Sequence, residues 1–454
     1  MQLTFETYWQ GEWRVSAVAR IMDDSLGYTG PSDVEYELDY FIDNAATDFH
    51  DEESVRDARA LSVNYPVSLA GYYRQTWPPF MLDLMPQGHA RRKLAEHLRI
   101  GVDARESDLP LLLRAGGNPI GNIRIKEAAE AEEQRLANVR RVGVTERDIL
   151  DRSELFVEVV DRFGMIASGS SGLQGEWPKA SMTLATDGLY YPDAFVRDDE
   201  AVRHVIVKLL RSREEQDRLI LEAEAGYSRL AQKLGLHVHE PSVYAEGVLI
   251  IPRFDRHIEA GRLLRFGQES MVSALGVAEF GHLASHEDYI NVLRRNSDEA
   301  FTDIVEYVKR DIANRAFGNP DNHGRNTALS KGPDGSVRLA PLFDFAPMRL
   351  AVEGIARSTR WAAMRETHRD TAPDWFEVCQ AVFPDSPCEV RGLLDEIGDF
   401  AEHILSLGDL NDFGIRDDVS KRAAANLIPV CEGVLEALNR RHELVTARNS
   451  PCPK

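Results

Sequence analysis

The chain runs to 454 residues, of which 43% are hydrophobic, too long for one small core and sufficient for two or three domains. Acidic residues outnumber Lys and Arg by 74 to 53, and the net charge of −21 repels polyanions and anionic membranes, which argues against direct binding to nucleic acid. Met1 to Glu6 lacks the basic start and apolar run of a signal peptide, and no stretch reaches the roughly 20 apolar residues of a membrane helix, so a soluble chain with no membrane partner is expected.

Short strand signals at 6–9 and 14–18, followed by a helical pattern at 89–98, predict an α+β unit over 1–130. From Lys126 to Glu154 the chain is strongly charged and reads as a solvated helical connector into a second segment, 131–255. Within that segment a Ser/Gly-rich run, Ala167 to Lys179, lies between apolar stretches at 163–166 and 181–184. It predicts a flexible loop between strands whose backbone N–H groups could cover phosphates. The run fits neither the Walker pattern nor GxGxxG, so alone it is a weak signal.

Next comes Lys208, a basic residue inside the apolar strand signal 205–210. A buried ammonium needs an anionic partner. One candidate is a nucleotide phosphate. Another is Glu224, on a helix predicted over 216–234 with Ile220, Ala223, Tyr227, Leu230 and Leu234 as its apolar face. A strand lysine paired with a helix glutamate is a kinase arrangement, although a lone lysine at a strand edge more often faces water. A further strand at 248–251 runs into Arg253-Phe-Asp-Arg256, where a kinase would join its lobes and hold an adenine ring against backbone and an aromatic such as Phe254. Beyond Glu259 the pattern is mostly helical, so 256–454 is expected to be a helical lobe. Strands first and helices later predict a two-lobed α+β protein.

The richest stretch is Gly318-Asn-Pro-Asp-Asn-His-Gly-Arg-Asn326. Ile304, Val308, Ile312 and Ala316 recur every four residues before it and predict a buried helix that Gly318-Asn-Pro320 stops. Thr327 to Leu329 reads as a strand after it. Asp321 can orient a hydroxyl, Asn326 can hold a metal ion through its amide oxygen, and Asp344 supplies a second metal-binding carboxylate, which is the donor set of phosphoryl transfer. Alone, the run is equally a turn, since Asn, Pro and Asp all favour turns. The strand lysine, helix glutamate, connector and Asp344 standing around it in kinase order favour the catalytic reading. His323 sits inside the loop as a brace or a phosphate contact, and bracing fits better. His368-Arg-Asp370 copies a common kinase tripeptide, but no Asn follows at the required distance and it comes after Asp344, so it is set aside. The four cysteines, Cys379, Cys388, Cys431 and Cys452, have no CxxC pairing, so neither a disulfide framework nor a zinc site is expected, and a reducing cytoplasm is the expected location.

Together these residues resemble the HipA family of bacterial Ser/Thr protein kinases, toxins of toxin-antitoxin pairs, along nearly the whole chain. Asn319, Asp321, His323 and Asn326 resemble its catalytic loop, Pro341 to Asp344 its metal strand, and Arg253 to Arg256 its connector, with Pro252 in place of an acidic residue. Pro78 to His89 and Ala115 to Gly121 resemble its amino-terminal segments, which implies a full-length toxin. Gly172, Gln174 and Lys179 are similar to its phosphate-covering loop, with extra residues including Trp177 between Gln174 and Lys179. The resemblance implies a two-lobed HipA-like kinase fold with a mixed α/β amino-terminal lobe and a mostly helical carboxy-terminal one. It also implies ATP and Mg²⁺ as cofactors, Lys208, Glu224, Arg253 and Phe254 around the nucleotide, and autophosphorylation at Ser171, Ser170 or Ser168. The implied partners are a HipB-like helix-turn-helix antitoxin, DNA only through that antitoxin, and a protein substrate of the aminoacyl-tRNA synthetase kind. A lipid or small-molecule kinase and a pseudokinase acting as an antitoxin-binding corepressor are the alternatives, and no basic membrane-facing run supports the first.

Overall fold

The computed structural model describes residues 1–45, 55–164, 176–362 and 373–444. By internal packing the chain forms two units: Met1–Arg213, Val243–Phe280 and Ala328–Ala340 make unit 1, and Glu214–Ser242, Gly281–Thr327 and Pro341–Lys454 make unit 2. Every strand among the described residues belongs to unit 1.

The first sheet of unit 1 joins β1 (Gln2–Trp9), β2 (Glu12–Ile21), β3 (Ser32–Tyr36), β4 (Tyr72–Arg74) and β5 (Ile123–Ile125) in the order β4-β3-β2-β1-β5. All its pairings are antiparallel. Period-two alternation turns Leu3, Phe5, Ala17, Ala19 and Val34 to one face, where they pack with Trp77, Met81 and Leu112. The expected connector is helical over Lys126–Leu136, but it is not wholly solvated, because Ala128 and Glu132 are buried.

The second sheet joins β6 (Lys179–Ala185), β7 (Tyr190–Pro192), β8 (Ala201–Leu209), β9 (Val243–Ala245) and β10 (Val248–Pro252) in the order β7-β6-β8-β10-β9. One face is apolar: Met182, Val205, Val207, Val248 and Ile250 share a core with Phe156 and Val159. The other face carries Thr183 opposite His204 and Lys179 opposite Lys208. Phe156 and Val159 lie on a helix, Glu154–Gly164, so the Ser/Gly-rich run is entered from a helix and not from the strand expected at 163–166. The apolar spacing 156, 159, 160 has the helical period, and the strand reading overlooked it.

Two small sheets complete unit 1: β11 (Arg256–Glu259) with β12 (Arg262–Arg265), and β13 (Gly267–Ser270), β14 (Ala328–Lys331) and β15 (Val337–Leu339) in that order. The expected helical segment 256–454 therefore begins with strands. The three consecutive segments expected from the sequence do not coincide with the two units, because β14 pairs with β13 across the intervening helices.

Unit 2 is helical. Its longest helices are Glu215–Lys233, Ala300–Ala316 and Pro387–Ser406. In the second, Ile304, Val308, Ile312 and Ala316 are all buried, as their spacing predicts. Tyr227 packs its ring 5.0 Å from that of Phe345 and donates its hydroxyl to the Phe317 carbonyl at 2.6 Å. One helix thus supports both the end of Ala300–Ala316 and the residue after Asp344. Cys379 and Cys431 are buried free thiols.

Candidate active site

The loop after helix Ala300–Ala316 is built by its own side chains. Gly318 ends the helix at φ +69°, a left-handed conformation that only glycine adopts without strain, and a Cβ there would run into the Ala423 carbonyl. Asn319 is 3% exposed. Its amide donates to Asn314 Oδ1 at 2.9 Å and its oxygen accepts the Asp321 N–H at 3.2 Å. Asn322 N–H donates to the Pro320 carbonyl at 2.8 Å, which closes a tight turn with Asp321 at its apex. The Asp321 carboxylate is partly exposed and available to a reactant.

Asn326 completes the loop. Its N–H donates to the His323 carbonyl at 2.9 Å and its side-chain NH₂ to the Asp321 carbonyl at 3.0 Å. With the nitrogen so used, the amide oxygen is the atom left to meet a cation. His323 Nδ1 accepts the Arg325 N–H at 3.3 Å, which places the ring proton on Nε2, 3.7 Å from Asp321 Oδ1. The ring thus bonds within the loop and turns a donor toward the Asp321 carboxylate.

Asp344 has φ +51°. For a non-glycine residue this conformation costs roughly 1–2 kcal/mol and persists only where the surroundings enforce it. Phe345, buried against Tyr227, and Ala346 and Pro347, also buried, supply that enforcement. Asp321, Asn326 and Asp344 all belong to unit 2.

The lysines lie in unit 1. Lys208 is 4% exposed, and Lys179 stands directly opposite it across β6 and β8, so the two side chains leave the same face of the sheet. Like charges in that position oppose each other. Lys208 Nζ and Arg211 Cζ also lie 5.4 and 5.2 Å from the Trp177 ring centre, within cation–π range. This cationic face suits a polyphosphate. Glu224 is buried on helix Glu215–Lys233 of unit 2.

Arg253 is placed differently from its expected part in nucleotide binding. Its guanidinium donates to Asp193 at 2.9 Å and to Asp255 at 2.9 and 2.7 Å, and its N–H donates to the His204 carbonyl. Arg256 adds bonds to Asp255 and to the Gly121 and Pro119 carbonyls, and Asp193 meets His204 Nδ1 at 3.0 Å. Burial opposes ionisation here but is outweighed: Arg253 holds the Asp193 and Asp255 carboxyls well below the usual carboxylate range, while burial lowers His204. This is a buried framework for β8 and β10, which leaves the half-buried Phe254 as the connector side chain suited to a nucleotide. Sequence reasoning missed Asp193 and His204, since no local spacing marks a network that bridges β6, β8 and the connector.

The residues present fit a kinase's cofactors. Asp321, Asn326 and Asp344 offer hard oxygen donors of the kind Mg²⁺ takes together with phosphate and water oxygens. No group of three or more His, Cys, Asp or Glu that could hold a metal ion occurs among the described residues. Gly172, Gln174, Ser168, Ser170, Ser171 and the tripeptide 368–370 lie outside the described residues.

Residues 171–404 match the family model for the HipA-like C-terminal domain, and residues 41–126 match that for the HipA N-terminal domain. The candidate kinase Y4mE of Sinorhizobium fredii is 27% identical over 300 residues, which cover 63% of this chain and 67% of that protein. HipA of Shewanella oneidensis, solved with HipB and operator DNA, is similar in fold with a TM-score of 0.59 at 16% identity, over 97% of this chain and 99% of that one. The first model alone spans more than half of the 454 residues. The chain belongs to the HipA family of kinases.

Proposed function

We propose that this protein is an ATP-dependent Ser/Thr protein kinase, the toxin of a HipA-type toxin-antitoxin pair, that phosphorylates a protein target and itself. The observation that carries this reading is the loop in which Asn319, His323 and Asn326 hold Asp321 at the apex of a turn. Asp321 orients the substrate hydroxyl and accepts its proton. Asn326 and Asp344 hold Mg²⁺. Lys208 and Lys179 take the nucleotide phosphates, Glu224 orients Lys208, and Phe254 flanks the base. Bound Mg²⁺-ATP supplies the phosphoryl group and neutralises the charge that develops on it. The chain's own share is positioning: its groups are fixed before reaction, so little reorganisation is needed at the transition state.

HipA of Shewanella oneidensis was solved with HipB and operator DNA. By that likeness a small helix-turn-helix antitoxin is the expected partner, and the net charge of −21 leaves DNA contact to it. An aminoacyl-tRNA synthetase is the proposed target class, Ser168, Ser170 and Ser171 are the proposed autophosphorylation sites, and the cytoplasm is the proposed location. No helix among the described residues is long and apolar enough to cross a membrane.

Intact-mass measurement after incubation with Mg²⁺-ATP tests the assignment. The wild type should gain phosphate and Asp321→Ala should not. Equal gain in both would reject Asp321 as the hydroxyl-facing carboxylate, and no gain or ATP binding in either would favour a pseudokinase.

A further inference from the structure

The side chain of the residue between Asp321 and His323 has no role in the reading above, yet it makes more bonds outside the loop than either neighbour. Asn322 Nδ2 donates to the Thr359 carbonyl at 2.8 Å, and its Oδ1 accepts the N–H groups of Ser358 and Thr359, each at 3.2 Å. One carboxamide thereby joins the segment 357–361 as if it were a stretch of backbone.

That segment is itself firmly anchored. Arg357 donates to Asp311 at 3.0 Å and to the Asn319 carbonyl at 3.4 Å. Trp361 donates Nε1 to Asp311 at 2.9 Å and stacks on His286 with ring centres 4.5 Å apart. The Arg360 carbonyl accepts the His286 N–H at 3.1 Å. Thr359 and Trp361 are each 1% exposed. Asp311 lies on the helix that leads into the loop, so the loop is gripped from its entry helix through Asn314 and Asn319, and from a second wall through Asn322.

We infer that Asn322 is a positioning residue for phosphoryl transfer, clamping the Asp321 turn to the wall 357–361 and so fixing the direction of the Asp321 carboxylate. The inference rests on the kinase reading. Asn319 sets where the turn begins and Asn326 holds the Asp321 carbonyl, both from within the loop. The Asn322 carboxamide adds a grip from the wall outside it, beyond the one that Arg357 makes on the Asn319 carbonyl. Because it does not itself face the reactants, its effect falls on the rate of the chemical step and not on nucleotide affinity.

The test uses the full chain with Mg²⁺-ATP as the probe, reading phosphate incorporation by intact mass at saturating ATP, ATP affinity by calorimetry, and melting temperature. Asn322→Ala should lower the rate about 10- to 100-fold, the effect of misplacing a reacting group by about 1 Å, with ATP affinity within about twofold of wild type. Asn322→Asp keeps an acceptor for the Ser358 and Thr359 amides, so it should recover part of that rate; it also serves as the readable variant if the alanine form does not fold. A wild type that gains phosphate while Asn322→Ala keeps its rate, or loses stability without losing rate well below its melting temperature, overturns the clamp and leaves the kinase reading intact. A wild type that neither binds ATP nor gains phosphate overturns both.

Discussion

Replacing Arg253 by methionine removes the cation that two buried carboxylates share. The side chains of Asp193 and Asp255 are only 5% and 3% exposed, so water cannot substitute for it. Breaking a buried ion pair from one side costs about 3–5 kcal/mol. Asp193 keeps His204 at 3.0 Å and Asp255 keeps Arg256 at 2.7 Å. The cost should therefore lie near the lower end, roughly 3 kcal/mol. Burial raises the carboxyl values but the arginines overcome it, so both titrate lower folded than unfolded. A depressed carboxylate stabilises the fold above its unfolded value, and that contribution is lost as the pH falls through the folded value. In Arg253→Met the two carboxyls titrate upward and His204 protonates more readily, so the deficit against wild type should shrink on acidification. Hydrogen exchange at the amides of β8 reads the local stability of unit 1 directly. At pH 7.5 exchange corrected for its intrinsic rate should be roughly 100-fold faster in the variant, with a smaller ratio at pH 5. A deficit under about 1 kcal/mol, the scale of an ordinary hydrogen bond, or one that grows on acidification, would refute the account.

Gly318→Ala must adopt a left-handed backbone and displace the Ala423 carbonyl, for a combined cost of roughly 3 kcal/mol; a melting temperature equal to wild type would contradict the geometry. Lys208→Met should weaken ATP binding about 10- to 100-fold, the worth of a charge-assisted hydrogen bond, as read by calorimetry, and unchanged affinity would remove Lys208 from the nucleotide site. Asn326→Ala should raise the Mg²⁺ concentration needed for half-maximal phosphate incorporation while leaving Mg²⁺-free ATP binding in place. An unaltered Mg²⁺ dependence would take Asn326 out of the metal set.

Local rules made much of the site readable beforehand. The four-residue recurrence from Ile304 to Ala316, the stop at Gly318 and a basic residue within an apolar strand are patterns of neighbours along the chain, and each maps to a buried helix, a left-handed cap and a buried lysine. Long-range pairings were not readable. Gly267–Ser270 gives no local sign that its partner is Ala328–Lys331, so the strands beyond Glu259 were absorbed into a helical expectation. Arg253 was misread for a related reason. A conspicuous arginine in a connector suggests a ligand, and only the folded positions of Asp193 and Asp255 show its charge to be spent inside the protein. Asn322 escaped notice because its partners lie 36 and 37 residues further on.

The chain passes between its two units after Arg213, Ser242, Phe280, Thr327 and Ala340. On a ribosome, β13 waits for β14 and β15, the last of which ends at Leu339, so unit 1 cannot close its final sheet until about three quarters of the 454 residues have been made. The Asp321 loop is synthesised just before those strands, and the Asp344 turn just after them. Formation of the Asp321 loop and completion of unit 1 are thereby tied to the same short interval of translation, and because the stretch that spans unit 1, 1–340, overlaps the stretch that spans unit 2, 214–454, no single cut in the chain separates the two units intact.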